Sequence, residues 1–363
     1  MTNLDDLWWH NIPNASRLCQ EVTQNILDGK HVILQYPATM PWRDTFYRIL
    51  KANLDSMDGK RDKWLIPARE IGNEEDSLGK YFLKEFCKPE LRNKFRPGRG
   101  YARFLAEHAL ESTQHLNCLL ITDATKEQLD DWIPFLKEYT ACLKGSIGCT
   151  CCIMASERLD IPPTSGICLL TYEDFLTTYD DFIFTMMAAA NQAVPPYLRA
   201  YLGELVIAVT DHDVELGAAC LSQGSRFMEN PWHVLKELST AGMYSDGRPF
   251  PAPPEENVVQ SAIWMTQVKL LFPYIEKIRQ ELLEKYRQCI ERLLPHENSL
   301  GECITDYHDV EYGLLCHLSK DHGLDMGGNQ IDQQKLRMGH NVRNHLAHID
   351  CLTLDEIKQI FGY

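Results

Sequence analysis

Four short apolar runs in the first 172 residues constrain the fold of this 363-residue chain more than any other feature. Each run is bounded by turn residues, as buried strands are, and segments with helical periodicity lie between several of them. The runs are HVILQYP (31–37), CLLITDA (118–124), CTCCIMA (149–155) and GICLLTY (166–172). Crossover helices between strands are typical of parallel sheets, so residues 1–172 are predicted to form an α/β module with a mostly parallel sheet.

The rest of the chain is predicted to be helical. Residues 173–245 contain no further convincing strand pattern and are predicted to be an all-α region. The segment DGRPFPAPPEEN (246–257) carries four prolines, which lack a backbone donor and disfavour helix in the residues before them, so it is predicted to be a linker. Residues 258–363 begin with a long amphipathic pattern and are predicted to be a separate all-α domain.

Charge and cysteine content limit the classes of function. The formal net charge of −15 argues against a general nucleic-acid coat, although local basic patches remain open. No stretch approaches the roughly 18 uninterrupted apolar residues of a membrane span. Thirteen cysteines and a start without a leader pattern indicate a reducing cytoplasmic location. The densest cluster, Cys149, Cys151 and Cys152, is predicted to be buried and structural, and no metal site is predicted.

The turn after the first apolar run is where a nucleotide-binding sheet places its phosphate loop. Residues 37–41 contain no glycine, and no lysine precedes a serine or threonine. Arg43 and Thr45 are therefore the only candidate phosphate contacts. Asp123 stands where a magnesium-orienting aspartate would be expected, but Ala124 replaces the catalytic acid. Neither ATPase activity nor a cofactor is expected.

The order of these elements resembles that of AAA-type and STAND-type P-loop NTPases. The resemblance covers about the first two thirds of the chain, with residues 173–245 similar to the helical lid of that class, but it lacks the motifs of the class. It implies a P-loop NTPase-like module that has lost its nucleotide chemistry and that regulates another activity or binds a partner protein.

The most basic stretch of the chain is residues 80–103, where eight cations face two glutamates. Phe86, Phe95 and Tyr101 are interleaved with them, a composition that suits single-stranded nucleic acid because cations meet phosphates while bases stack on rings. The alternative is a solvated helix and loop whose aromatic residues belong to the core. The candidate RNA contacts in this stretch are Lys84, Lys88, Arg92, Lys94, Arg96, Arg99 and Arg103.

The segment Arg343-Asn344-His345-Leu346-Ala347-His348 carries the strongest candidate for catalysis. Metal-independent RNA cleavage needs a base for the 2′-hydroxyl, an acid for the leaving oxygen and a cation for the charge on the phosphorane. Arg343 is predicted to supply the cation, His348 to transfer protons and Asn344 to orient the imidazole or a substrate oxygen, with His345 as an auxiliary group. One copy offers too few groups for both proton transfers, which favours a symmetric homodimer.

Other interpretations of this segment stay open. Asn344 can cap the last helical turn, His348 can be a core histidine, and His345 with His348 forms an HxxH pair that lacks a third metal ligand. No acidic residue lies between positions 333 and 349, so Lys335 and Arg337 add to the candidate RNA contacts. His308 and Glu311, three residues apart, can form part of the rim of a cleft, and no role in catalysis is assigned to them.

The Arg-Asn-His-Leu-Ala-His segment and the LTLDEIKQI that follows resemble the final helices of HEPN domains, over roughly residues 257–363. In that family the arginine, polar residue and histidine commonly make metal-independent endoribonucleases that act as dimers, frequently beside NTPase modules in prokaryotic immunity and toxin systems. The resemblance implies an endoribonuclease acting on RNA, with transfer RNA among the candidates, in which Arg343, Asn344 and His348 are catalytic. Some members have lost catalysis, so the alternative is a non-catalytic adaptor that dimerises and binds a partner.

Overall fold

The computed structural model describes residues 3–37, 39–57, 62–108, 117–145, 148–156, 164–297, 301–321, 323–326 and 328–361. The chain forms two compact units. Unit 1 comprises Met1–Phe184 and Tyr244–Arg248, and unit 2 comprises Thr185–Met243 and Pro249–Tyr363. Unit 1 thus extends beyond residue 172 and includes a short segment that spans the end of the second predicted region and the start of the predicted linker.

Unit 1 is built on a five-stranded sheet in which every pair of neighbours is parallel. The spatial order is β2-β3-β4-β1-β5, so β1 lies between β4 and β5. The sheet confirms the predicted α/β fold class with a mostly parallel sheet, and the four predicted strands are all present. The strands are β1 (His31–Gln35), β2 (Asp62–Pro67), β3 (Asn117–Ala124), β4 (Thr150–Ala155) and β5 (Ile167–Thr171).

Helices connect these strands and cover the sheet. Short π-helical and 3₁₀ turns lie at Leu7–Asn11 and Pro97–Arg99. One continuous apolar core buries the side chain of Trp132, on the helix Lys126–Leu143, together with those of Ile33, Ile121 and Ile153 on the strands. The helices are α1 (Leu4–Asp6), α2 (Pro13–Leu27), α3 (Arg43–Met57), α4 (Ala68–Ile71), α5 (Ser77–Phe86), α6 (Pro89–Arg92), α7 (Tyr101–Glu107), α8 (Lys126–Leu143), α9 (Tyr172–Phe175) and α10 (Thr178–Ala190), whose last residues belong to unit 2.

Strand β2 was not predicted from the sequence. It stands at one end of the spatial order and, among the described strands, pairs only with β3, so it is an edge strand of the sheet. Trp64 and Leu65 of β2 are exposed. An edge strand that buries few side chains has no continuous apolar run to mark it, and Pro67 at its end further weakens the pattern.

Unit 2 is helical, as predicted, apart from one antiparallel pair of two-residue strands among its described residues, β6 (His296–Glu297) and β7 (Cys303–Ile304). A 3₁₀ turn lies at Tyr307–Asp309. The helices are α11 (Pro196–Thr210), α12 (Val214–Leu221), α13 (Ser225–Glu229), α14 (Pro231–Ala241), α15 (Glu256–Lys285), α16 (Arg287–Leu293), α17 (Tyr312–Asp321), α18 (Gln330–Ala347) and α19 (Leu354–Phe361).

Two further predictions concern burial. Cys151 and Cys152 are buried in β4, as predicted, and burial raises the pKa of the Cys152 thiol. The prediction is wrong for Cys149, which lies just before β4 and is only half-buried. Among the described ranges, no helix combines the length and apolar character needed to cross a bilayer.

Gly339 marks a very close approach between α18 and α17. A Cβ at position 339 would collide with the Tyr312 ring, which is 2% exposed and whose hydroxyl donates to the Ile275 carbonyl at 2.5 Å. The ring cannot move without losing that hydrogen bond. We therefore expect Gly339→Ala to lower the free energy of unfolding by about 1–2 kcal/mol, because overpacking outweighs the roughly 1 kcal/mol that alanine gains in helix propensity.

Urea unfolding of unmodified protein, Gly339→Ala and a control, Gly313→Ala, measures this effect. Gly313 lies in α17, and an added Cβ there would have open space around it, so the control is expected to gain stability. Stabilisation by both substitutions would contradict the packing described for Gly339.

Candidate functional site

Helix α18 carries the arginine and histidine segment and begins at a side-chain cap. The Asn329 side chain accepts the backbone N–H groups of Ile331 and Asp332 at 3.1 and 3.3 Å. Asp332, in the first turn, also accepts hydrogen bonds from Lys285 and the Tyr286 hydroxyl, each at 2.5 Å. These contacts fix the start of α18 against the end of α15.

The helix ends in a reversal of the chain just after His348. His348 is the C-cap, and the Asp350 N–H donates to the His345 carbonyl at 2.9 Å, as in a Schellman motif. Ile349 takes the left-handed position with φ of 59°, where glycine is usual. A β-branched residue there costs on the order of 1–3 kcal/mol, so packing elsewhere must enforce the turn.

Two side chains of α15 hold this turn in place. The Trp264 indole N–H donates to the Leu346 carbonyl at 3.0 Å, before the reversal. The fully buried Gln267 amide donates to the Leu352 carbonyl at 2.9 Å and accepts the Leu352 N–H at 2.8 Å, after the reversal. His348 therefore lies between Leu346 and Leu352, whose backbone groups are both hydrogen-bonded to side chains of α15.

Arg343 lies on the wall of a cleft of about 500 Å³ in unit 2. One guanidinium nitrogen is 2.9 Å from a carboxylate oxygen of Glu311. His308 and Glu311 both line the cleft, which confirms their predicted place at a rim. The apolar part of the wall includes Trp264, Phe272 and Tyr312. A cleft of this size, with aromatic walls and a cation, suits a ligand of nucleotide size.

The structure excludes two of the alternative interpretations. His348 is exposed and is not a core histidine. The Asn344 side chain lies 3.3 Å from a ring nitrogen of His340, one turn back, rather than capping the last turn. Burial lowers the pKa of His340, and the charge of Arg343 adds to that shift, which favours the neutral imidazole.

The remaining predicted groups lie close by in sequence but not in the cleft wall. His345 is 2.9 Å from the Asp350 carboxylate. Neither Asn344, His345 nor His348 lines the cleft beside Arg343. The described ranges contain no group of three or more histidine, cysteine, aspartate or glutamate side chains placed to hold a metal ion.

The aromatic residues of the basic stretch are half-buried and pack against the core of unit 1. Phe95 stacks on Tyr101 with ring centroids 4.4 Å apart, and Phe86 packs edge to face on Phe82 and Trp64 at 5.8 Å. These rings make contacts with other protein side chains. The structure therefore favours the interpretation in which these aromatic residues pack within the protein over the one in which they stack on bases.

Several cations of this stretch have contacts within the protein. Arg92 donates to the Cys87 carbonyl at 2.7 Å, and Arg96 donates to two carbonyls at 2.9 Å. Arg99 lies 3.6 Å from Glu107, and Lys84 lies 3.0 Å from Glu85. The exposed cations without such a contact among the described residues are Lys88, Lys94 and Arg103.

The two candidate RNA contacts on α18, Lys335 and Arg337, differ in their surroundings. Lys335 lies 3.9 Å from Glu281, whereas Arg337 is exposed. Both lie on the helix that carries Arg343.

In unit 1, a network of hydrogen-bonded side chains lies at the carboxyl ends of β1 and β3. Doubly wound sheets bind their ligands at this edge. Arg43 lies 2.9 Å from Asp123 and 3.1 Å from Asp246. The Tyr36 hydroxyl donates to Asp123 at 2.7 Å, and burial together with Asp123 raises the pKa of Tyr36 to about 12. A phosphate placed at Arg43 would meet two carboxylates.

Thr45, the second candidate phosphate contact, also has a partner within the protein. Thr45 is buried, and its hydroxyl donates to Asp5 at 2.5 Å. Sequence reasoning missed Asp246, because its partner Arg43 is 203 positions away and no local pattern links the two. Arg43 and Thr45 thus both have side-chain partners within the protein.

Comparisons with known proteins give structural likeness at low sequence identity. No family model matches the chain, and no curated protein matches it. Among solved structures, the chain is similar to one described as Drosophila ORC bound to DNA, at 13% identity and a TM-score of 0.41, over 99% of this chain and 97% of the other. It is also similar to a variant of Thermotoga maritima RuvB, at 12% identity and a TM-score of 0.34, over 79% and 80% of the two chains. At these scores, what either protein binds is not carried over to this chain.

Proposed function

We propose that unit 2 is a metal-independent endoribonuclease in which Arg343 binds the scissile phosphate, His348 takes the proton of the 2′-hydroxyl and Asn344 supports the site. The observation that carries the proposal is the placement of Arg343 in the wall of a cleft with His348 exposed just beyond the end of the same helix. Neither side chain is required by the core. The setting in a prokaryotic defence or toxin system follows from the HEPN resemblance.

The chemistry needs no metal ion. The 2′-oxygen attacks phosphorus as a base removes its proton, and the 5′-oxygen leaves as it gains a proton. The strand then ends in a 2′,3′-cyclic phosphate on one product and a 5′-hydroxyl on the other. Arg343 stays charged and can hold two phosphate oxygens at once, which suits it to the growing negative charge.

A row of exposed apolar side chains on α15 supports a homodimer. Val258, Met265 and Phe272 are 54%, 56% and 46% exposed, and they recur every seven residues, so they share one helix face. We call them the α15 stripe. Helices with such a repeat pair through it, and a soluble chain rarely leaves it uncovered.

The α15 stripe also leads to the candidate site, since Phe272 lines the Arg343 cleft. A second copy docked along the stripe would lie beside that cleft. We propose that the second copy supplies its own His348 to complete the site there, because His348 of the same copy is not in the cleft wall. Unit 1 would then regulate the assembly or bind a partner protein, with Lys88, Lys94 and Arg103 available to contact RNA.

Glu311 is expected to restrain the binding of RNA. Its carboxylate is paired with Arg343, but the two side chains are 68% and 42% exposed, so the pair is worth at most about 1 kcal/mol and a phosphate can displace it. We expect Glu311→Gln to tighten binding of a non-cleavable 2′-deoxy-substituted RNA by about three- to fivefold, since up to about 1 kcal/mol of competition is removed. Fluorescence anisotropy measures this effect, and a control substitution, Glu291→Gln, is expected to leave affinity unchanged. Weaker binding by Glu311→Gln would contradict the competition.

Incubation of the purified full chain with total RNA and with transfer RNA in excess EDTA tests the function. We expect discrete products on a denaturing gel whose 3′ ends are 2′,3′-cyclic phosphates. Intact RNA, or cleavage that requires added metal ions, would overturn the proposal.

The second candidate function is a non-catalytic dimerising adaptor. The α15 stripe and the pairing of Arg343 with Glu311 favour it, because the first supplies a dimer surface and the second gives Arg343 a structural partner. This alternative predicts a dimer without any cleavage of RNA.

A further inference from the structure

His308 is the histidine that lines the same cleft as Arg343, and the proposed mechanism has not used it. It lies in the 3₁₀ turn Tyr307–Asp309, and its backbone N–H donates to the Asp306 carboxylate at 2.9 Å. Arg279 donates to the His308 carbonyl at 3.1 Å and to the Val310 carbonyl at 2.9 Å. The backbone at His308 is thus held on both sides while the residue itself is exposed.

The surroundings of the imidazole suit a group that exchanges protons with a ligand. The ring lies against the Tyr307 ring with centroids 4.0 Å apart, which limits its orientation. The charged side chains that line the cleft with it are Glu276, Arg279, Asp309, Glu311 and Arg343. Arg279 and Glu276 are paired with each other at 2.5 Å, and Glu311 is paired with Arg343.

We propose that His308 is the general acid that protonates the 5′-oxygen of the leaving nucleoside, an inference that rests on the proposed ribonuclease function. His348 accepts the proton of the 2′-hydroxyl, the bond from the 2′-oxygen to phosphorus forms, and the bond from phosphorus to the 5′-oxygen breaks. The imidazolium of His308 gives its proton to that oxygen. One proton is accepted and one is donated, so no metal ion or co-reactant is needed.

Other groups in this region fit the role less well. The Glu311 carboxylate accepts a hydrogen bond from Arg343, so it is engaged with the group that would bind the phosphate. His340 is hydrogen-bonded to Asn344, and burial lowers its pKa, which disfavours the imidazolium form that a general acid needs. His345 is paired with Asp350 and lies outside the cleft wall. With His308 from the copy that carries Arg343 and His348 from the second copy, the shared site has a group for each of the two proton transfers.

Two RNA substrates that differ in one atom test the assignment. One has an ordinary 5′-oxygen at the cleavable linkage, and the other has sulfur there, which leaves as a thiolate without a proton. We expect His308→Ala to slow cleavage of the oxygen substrate by about 100-fold or more and of the sulfur substrate by less than about threefold. Arg343→Ala is expected to slow both, because phosphate binding matters to both.

His308→Gln is the second variant, since its amide can replace part of the packing of the imidazole while being unable to donate an acidic proton. It should show the same selective loss with an unchanged melting temperature. Equal slowing of both substrates by the two His308 variants, or no slowing of either, would overturn the assignment while leaving the ribonuclease function in place. If unmodified protein cleaves neither substrate, the proposed function is wrong and the role of His308 is wrong with it.

Discussion

Replacing Arg343 or His348 with alanine is expected to slow RNA cleavage by about 100-fold or more, because each loss removes either the cation for the phosphorane or a positioned proton-transfer group. Both side chains reach solvent, and the Arg343–Glu311 pair is exposed. The free energy of unfolding should therefore change by no more than about 1 kcal/mol in either variant. Single-turnover cleavage of one defined RNA and urea unfolding measure the two effects separately.

Matched controls lie on other helices of unit 2. Arg292→Ala and His233→Ala remove exposed side chains of the same types outside the proposed site. They should cleave at the rate of unmodified protein. A large loss of stability in His348→Ala would mean that its side chain supports the fold, and retention of full activity in both Arg343→Ala and His348→Ala would refute their catalytic roles.

Mixing the two inactive variants is expected to restore activity if two copies share one site. In a mixed dimer of Arg343→Ala and His348→Ala, one composite site has lost both groups and the other keeps both. Random pairing then returns about one quarter of the activity of unmodified protein, since half of the dimers are mixed and each holds one complete site of two. Cleavage rates of the separate and mixed proteins at equal total concentration measure the restoration.

The α15 stripe provides the control for this experiment. Met265→Lys places a charge at the centre of the stripe, where Met265 is 56% exposed, so it should disrupt pairing without unfolding unit 2. Adding Met265→Lys to both inactive variants should abolish the restored activity and shift the protein to a monomer in light scattering. Absence of restoration in the first mixture, with dimers present, would mean that each site is built from one copy.

The sequence predicted those parts of the fold that burial determines. β4 is buried along its whole length, and its apolar run was sufficient to predict it. Edge strand β2 was missed because exposed side chains leave no apolar pattern. The same limit applies to residues 80–103, since composition alone cannot tell a ring that stacks on bases from one like Phe95, which stacks on Tyr101.

Some features of the candidate site could likewise be predicted from the sequence, and others could not. Local composition singled out Arg343 and His348, and the three-residue spacing of His308 and Glu311 suggested a cleft rim, whereas the end of the helix at Ala347 was not predicted. The ion pair between Arg343 and Glu311 and the cleft itself were not predictable, because they depend on how α15, α17 and α18 pack. Long-range pairs leave no signal in one sequence.

The most direct measurement of the central claim compares an RNA oligonucleotide with its twin that carries a single 2′-deoxyribose at the cleaved position, both in EDTA. We predict that the full chain cuts the first to a 2′,3′-cyclic phosphate and leaves the twin intact, because the 2′-oxygen is the nucleophile. Cutting of the twin at the same position, or failure to cut either strand, would contradict the proposed mechanism.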